Sequence, residues 1–283
     1  MTATRPGPAN LIARAAIMVS LLPAGSAYAA VPQPWQMNFQ PAATPVMADI
    51  ISFHNMLLVL IALIVLLVTA LMGYTMWRFN AKRNPVPTRT THNTLIEVLW
   101  TVVPVIILIF VAVPSFRLLY LEDVIPEADM TIKATGQQWY WSYEYPDHGK
   151  FGFDANMIPD GEIKPGQVRL LETDNPVVVP VNTTVRVIVT ADTVLHAWSV
   201  PAFGVKIDAV PGRLNEIWFR ADRAGTYYGQ CSELCGVNHG FMPIQVVVVS
   251  KPAFDAWVGK AKKKFARARG PAPRTLAEAV QSA

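Results

Sequence analysis

The chain has 283 residues, of which 52% are hydrophobic and only 16% charged, a balance that suits a membrane protein with an appended globular part. Its formal charge of +4 is unevenly spread: residues 122–250 hold 16 acidic and 9 basic side chains, the remainder 4 and 15. An acidic block between basic flanks argues against nucleic acid as a partner; it fits a domain that attracts a basic soluble protein while its flanks meet membrane lipid through anionic headgroups.

Residues 1–29 read as a secretory signal peptide. Arg5 and Arg14 form a basic start, residues 15–22 an apolar run too short to span a bilayer, and Ala27-Tyr28-Ala29 a small-x-small cleavage site. Processing there begins the mature chain at Ala30 and leaves residues 30–49 as an N-terminal outer segment. Residues 50–77 form the first predicted transmembrane helix, with Thr69 the one polar side chain between 56 and 72. Residues 95–121 form the second and contain Pro104 and Pro114. Each supplies the roughly 20 residues needed to cross a hydrocarbon core. Trp77, Trp100 and Tyr120 occupy positions typical of interfacial aromatics.

The loop between them, residues 78–94, carries Arg78, Lys82, Arg83 and Arg89, and no acid precedes Glu97. The positive-inside rule makes it cytoplasmic, so the hairpin returns the rest of the chain to the outer side. Glu97 itself reads either as an interfacial carboxylate or as a proton-uptake group at membrane depth.

From about Met130 the texture changes to short β-rich runs: 130–135, 138–145, 168–172, 185–190, 197–200, 216–220, 226–228 and 244–249. Turn signals such as Pro159-Asp160-Gly161 and Pro211-Gly212-Arg213 separate them. Residues 122–251 are therefore expected to form an all-β sandwich or Greek-key barrel. Residues 252–283 read as a helix, with Phe254, Trp257, Val258 and Ala261 at helical spacing, followed by a basic tail.

Both cysteines lie in Gly229-Gln230-Cys231-Ser232-Glu233-Leu234-Cys235-Gly236-Val237-Asn238-His239-Gly240-Phe241-Met242-Pro243. Thiolate, imidazole and thioether donors suit soft or borderline metals, copper above all. His196 is a further imidazole that a neighbouring strand end could bring to the loop. Several readings compete: a Cys231–Cys235 disulfide, a Cys₂His₂ zinc site, a mononuclear blue-copper site and a two-copper site. The last uses every donor. Covalent haem needs Cys-x-x-Cys-His, which is absent.

The run Cys-Ser-Glu-Leu-Cys-Gly-x-Asn-His-x-x-Met-Pro resembles the copper A loop of the cytochrome c oxidase subunit II family. So do Gln138-Trp139-Tyr140-Trp141-Ser142-Tyr143-Glu144-Tyr145, Val210-Pro211-Gly212-Arg213-Leu214-Asn215 and Gly225-Thr226-Tyr227-Tyr228-Gly229-Gln230-Cys231 resemble segments of the same family. With the hairpin, the resemblance covers roughly residues 35–257. It implies a two-helix transmembrane hairpin joined to an all-β, cupredoxin-like Greek-key barrel holding a binuclear copper A centre. His196, Cys231, Cys235 and Met242 would ligate one copper. Cys231, Cys235, His239 and the Glu233 carbonyl would ligate the other, and the Glu233 carboxylate would reach a magnesium ion shared with the catalytic subunit. Trp139 would admit electrons from cytochrome c, and Glu97 would stand at the mouth of a proton channel.

The implied function is electron uptake for a haem–copper terminal oxidase, coupled to oxygen reduction and proton pumping. The implied partners are the haem-bearing subunit I, other oxidase subunits and cytochrome c. The implied place is a bacterial inner membrane, with the C-terminal domain periplasmic. Rival readings are a quinol oxidase subunit, which lacks these ligands, and a copper-storage or delivery protein, which needs neither Trp139 nor Glu97.

Overall fold

The computed structural model of the protein describes residues 28–86 and 88–265. The signal-peptide reading lies outside the described residues except at its end, and the basic tail lies outside them beyond Phe265. Tyr28–Ala30 form a short strand, β1, so cleavage after Ala29 would divide it.

Two long helices follow, α1 (Pro45–Arg78) and α2 (Thr94–Asp123). At 34 and 30 residues both are longer than the roughly 20 residues that cross a bilayer. Their starts are set by side-chain caps. Thr44 accepts from the Met47 N–H at 3.0 Å, with Pro45 in the first turn, and Asn93 accepts from the Ile96 N–H at 3.3 Å. The most apolar stretch of each helix has no residue buried within the chain. Leu63, Leu66, Ile109 and Phe110 project outward. Such continuous apolar surface needs lipid or a partner to cover it. Pro104 and Pro114 lie inside α2, which continues through both.

The β domain contains β2 (Met130–Gln137), β3 (Tyr140–Tyr145), β4 (Phe151–Ala155), β5 (Val177–Pro180), β6 (Thr184–Ala191), β7 (His196–Val200), β8 (Val205–Ala209), β9 (Asn215–Arg220), β10 (Gly225–Gln230) and β11 (Pro243–Val249). One sheet runs β4-β3-β2-β6-β9, a second β1-β10-β11-β5, and β7-β8 is a separate ribbon. In β2, β3 and β6, buried and half-buried residues alternate, as expected when one face of a sheet meets a core. Trp141, Tyr143, Tyr145, Trp198, Phe203, Phe219 and Tyr227 fill the space between the layers. β7 is buried at all five positions because both of its faces are covered. This two-layer β domain behind a helical hairpin is the expected fold class, cupredoxin-like in its β part.

Three strands have weak sequence signals. β4 and β8 are short and interrupted by glycine or charge, and β5 ends in proline. The expected strand at 168–172 is instead a turn. Leu170 has φ +68°, a left-handed conformation that breaks extended pairing, and Glu172 turns inward.

The C-terminal helix, α3 (Lys251–Phe265), packs on β4. Phe254, Val258, Ala261 and Phe265 form its buried stripe, and the Phe265 ring stacks on Phe153 at 4.7 Å. The hairpin is tied to the β domain at the start of α1. The Thr44 hydroxyl donates to the Phe203 carbonyl at 2.7 Å, and the Ala43 N–H donates to the Ala202 carbonyl at 2.9 Å. Gly204, at φ +72°, allows Met47 and Ile50 to approach closely.

Candidate metal centre

Register brings the sequence-distant donors together. β10 and β11 pair antiparallel from Gly225↔Val248 to Gln230↔Pro243. The ladder then gains a further bond, from the Cys231 N–H to the Met242 carbonyl at 3.0 Å. Residues 231–242 are thus a loop closed at its base by its own first and last residues. β7 runs beside this base: the Ser232 N–H donates to the Ala197 carbonyl at 3.1 Å. At Gly229 an added Cβ would lie 1.8 Å from the Ser199 carbonyl oxygen. Only glycine permits that approach, and the approach delivers His196 to the loop.

The resulting contacts form a chain with two thiols in the middle and an imidazole at each end. His196 Nδ1 lies 3.7 Å from Cys231 Sγ, Cys231 Sγ 3.8 Å from Cys235 Sγ, and Cys235 Sγ 3.6 Å from His239 Nδ1. The Cys231 thiol also faces the Glu233 carbonyl at 3.4 Å. Donor atoms of His196, Cys231 and Cys235 all fall within 4.8 Å of one another. Met242 is fully buried beside them in sequence and ladder. Both cysteines are free, so the disulfide alternative finds no support.

These spacings fit a metal. Two donors on one tetrahedral ion, with metal–sulfur and metal–nitrogen bonds of about 2.0–2.3 Å, stand about 3.3–3.8 Å apart. Burial pushes the Cys235 thiol up to about 12, with the adjacent Cys231 adding to the effect. His196 is pulled below its ordinary value by burial and then by His239. Burial therefore favours the neutral thiol of Cys235 and the neutral imidazole of His196, which stand at ligand spacing from Cys231.

Trp139 is half-buried at the rim. Its indole N–H donates to the Cys235 carbonyl at 3.1 Å, and its ring lies against Gly236, where an added Cβ would be 3.2 Å away. Trp141, two residues on, is fully buried and fills the core instead. Gln138 reaches the same carbonyl at 3.5 Å. Glu233 is half-buried with its backbone turned to Cys231. Glu97 is remote from the centre, in the first turn of α2.

Gly136 is a site residue that the sequence does not announce. An added Cβ there would lie 2.7 Å from the His196 ring. That need becomes visible only once β2 and β7 are packed.

The model of the transmembrane domain of cytochrome c oxidase subunit II matches residues 32–118, and that of its periplasmic domain matches residues 130–249. The chain belongs to the cytochrome c oxidase subunit II family. A probable cytochrome c oxidase subunit 2 of Rickettsia bellii is 55% identical over 236 residues, covering 83% of this chain and 88% of that protein. The Rickettsia felis counterpart is 52% identical over 256 residues, covering 90% and 81%. Cytochrome c oxidase subunit 2 of Arabidopsis thaliana is 50% identical over 232 residues, covering 80% and 89%. Among solved structures, the periplasmic domain of cytochrome oxidase subunit II of Bradyrhizobium japonicum is 60% identical. It covers 50% of this chain and 99% of that one, with a TM-score of 0.48. As a family member the chain is a subunit of a haem–copper oxidase complex, with a two-pass N-terminal membrane anchor.

Proposed function

We propose that this subunit accepts electrons from cytochrome c and passes them to haem in subunit I, where oxygen is reduced and protons are pumped. The observation that carries this reading is the donor chain His196–Cys231–Cys235–His239, with its two central thiols and terminal imidazoles. A single Cys₂His₂ zinc site would use neither Met242 nor the Glu233 carbonyl, whereas a two-copper site would use both. His196, Cys231, Cys235 and Met242 would hold one copper; Cys231, Cys235, His239 and the Glu233 carbonyl would hold the other. When bound, this binuclear copper A centre supplies a one-electron site whose geometry changes little between oxidation states.

The chain's own residues provide rigidity, dryness and contact with the donor. Ser232 and Cys231 fix the base of the loop through backbone bonds, so the donors are positioned before a metal arrives. Trp141 packs edge-on to His196 at 6.0 Å and helps keep water from the inner side. Trp139 presents an aromatic face at the surface while its N–H is bonded into the ligand loop. That combination supports its role as the contact for cytochrome c. Negative charge is held near this rim by Asp192, whose N–H donates to the Gly136 carbonyl at 3.1 Å and whose neighbour Thr193 bonds Gln138 at 3.1 Å; burial, Asp154 and Asp192 all raise the Tyr140 hydroxyl.

The carboxylate of Glu233 is assigned to magnesium at the boundary with subunit I. Glu97 is assigned to proton uptake on the cytoplasmic side. The hairpin lies in a bacterial inner membrane with the β domain periplasmic, after removal of the signal peptide.

The role of Trp139 is tested in the assembled oxidase with Trp139→Ala. Copper content should stay at the wild-type ratio while oxidation of cytochrome c slows. An unchanged rate with full copper content would remove Trp139 from this role.

A further inference from the structure

A buried carboxylate that the function above does not use lies at the foot of the ligand-loop ladder. Glu172 is 5% exposed. It comes from the turn at 168–172 and has no ion-pair partner among the described residues. Three neutral donors meet it instead. The Tyr228 hydroxyl donates to Oε1 at 2.5 Å, the Val168 N–H to Oε1 at 3.2 Å, and the Gln245 Nε2 to Oε2 at 2.6 Å. The orientation of the Gln245 amide is fixed chemically. Its oxygen accepts from the Thr173 backbone N–H at 3.0 Å, a group that can only donate, so its NH₂ must face Glu172.

Tyr228 and Gln245 are direct cross-strand partners on β10 and β11. Each is three positions from a residue that closes the loop, Cys231 on one strand and Met242 on the other. The two carboxylate oxygens therefore hold the two strands separately, one each. By strand alternation Gln230 shares the Tyr228 face, and its Nε2 donates to the Gly240 carbonyl at 3.1 Å, next to His239. The polar face beginning at Glu172 thus extends into the loop. A buried, unpaired carboxylate costs stability relative to apolar packing of the same shape. What a fully satisfied polar cluster contributes is a unique arrangement.

We propose that Glu172 is a positioning residue for the metal centre: through Tyr228 and Gln245 it fixes the spacing of β10 and β11 and so of the donors those strands deliver. The proposal rests on the copper reading of the site. The substitution Glu172→Gln keeps the volume but leaves only one acceptor oxygen. With that oxygen on Tyr228, the new NH₂ opposes the Gln245 NH₂ and one strand is released. In the double variant E172Q/Q245E the polarity is restored. The amide introduced at position 172 then donates to the carboxylate introduced at position 245, which still accepts from Thr173.

The test uses the full chain in detergent, with E172Q, E172Q/Q245E and wild type. In metal-free protein, amide exchange at residues 228–230 and 244–246 should be about tenfold faster or more in E172Q, the effect expected for one lost bond to a charged group. The double variant should return toward wild type. After copper loading, E172Q should show altered copper hyperfine couplings and a shifted midpoint potential, and the double variant should recover both. Wild-type exchange and hyperfine couplings in E172Q would overturn the proposal. So would a double variant that keeps the E172Q signature. A wild-type chain that fails to show a shared-copper signal would overturn the copper reading instead, and the metal-free exchange comparison would still decide the role of Glu172.

Discussion

His196 and Gly136 form one unit. The imidazole occupies the space that any side chain at position 136 would need, with an added Cβ 2.7 Å from its ring. Gly136→Ala should therefore push His196 off the thiol pair. Overpacking of this kind costs about 1–3 kcal/mol, so the variant should fold with a lowered denaturation midpoint and lose copper. Unfolding curves and the copper-to-protein ratio measure the two effects. A second expectation follows from Cys235. Its thiol, pushed up to about 12 by burial and the adjacent Cys231, is neutral at physiological pH, so metal uptake must displace its proton. Apparent copper affinity should fall by about tenfold for each pH unit of acidification per thiol proton displaced. Uptake in weak buffer should acidify the solution. Affinity independent of pH would contradict a protonated resting thiol.

At the scale of elements, the fold depends on where chains are tied together. Thr44 both caps α1 and donates to the Phe203 carbonyl, so the membrane anchor and the turn after β7 share one hydroxyl. Thr44→Val should weaken that junction by about 1–2 kcal/mol, read as faster amide exchange at Met47 and the neighbouring first-turn amides. Unchanged exchange there would show the junction to be held by other contacts. The helices are legible in the sequence because a lipid-facing span must be apolar all round, which leaves an uninterrupted signal. β2 and β6 are legible because one face meets the core and the other does not. β4, β5 and β8 are not, because glycine, aspartate or proline within so few residues erases the alternation. The 168–172 run imitates a strand by its Val, Leu and Leu, while its Glu172 is held by partners that only β10 and β11 can supply. The metal loop is readable for its donor types and spacing. Gly136 and the Glu172 cluster are not, since their value comes from residues 56 to 73 positions away meeting across the packed sheets.

The whole molecule joins an apolar hairpin to an acidic β domain whose metal loop is closed by β10 and β11. Of the acidic side chains in this domain, Asp147 bonds the Thr131 N–H, Asp160 pairs with Arg169, and Asp174 bonds Asn156. These hold turns as well as carrying charge. Asp192 is tied to the segment that carries Trp139: its N–H donates to the Gly136 carbonyl at 3.1 Å, and the hydroxyl of the next residue, Thr193, donates to Gln138 at 3.1 Å. Association with a basic cytochrome c should slow as ionic strength rises, and Asp192→Asn should flatten that dependence. A salt-independent rate in the wild type would remove steering from the mechanism. The most direct measurement on the centre itself is electron paramagnetic resonance of the full chain loaded with copper. The expected spectrum is that of one unpaired electron shared equally by two copper nuclei. A spectrum of isolated single copper, or stable occupancy by zinc in its place, would contradict the assignment of His196, Cys231, Cys235, His239 and Met242 to a binuclear site.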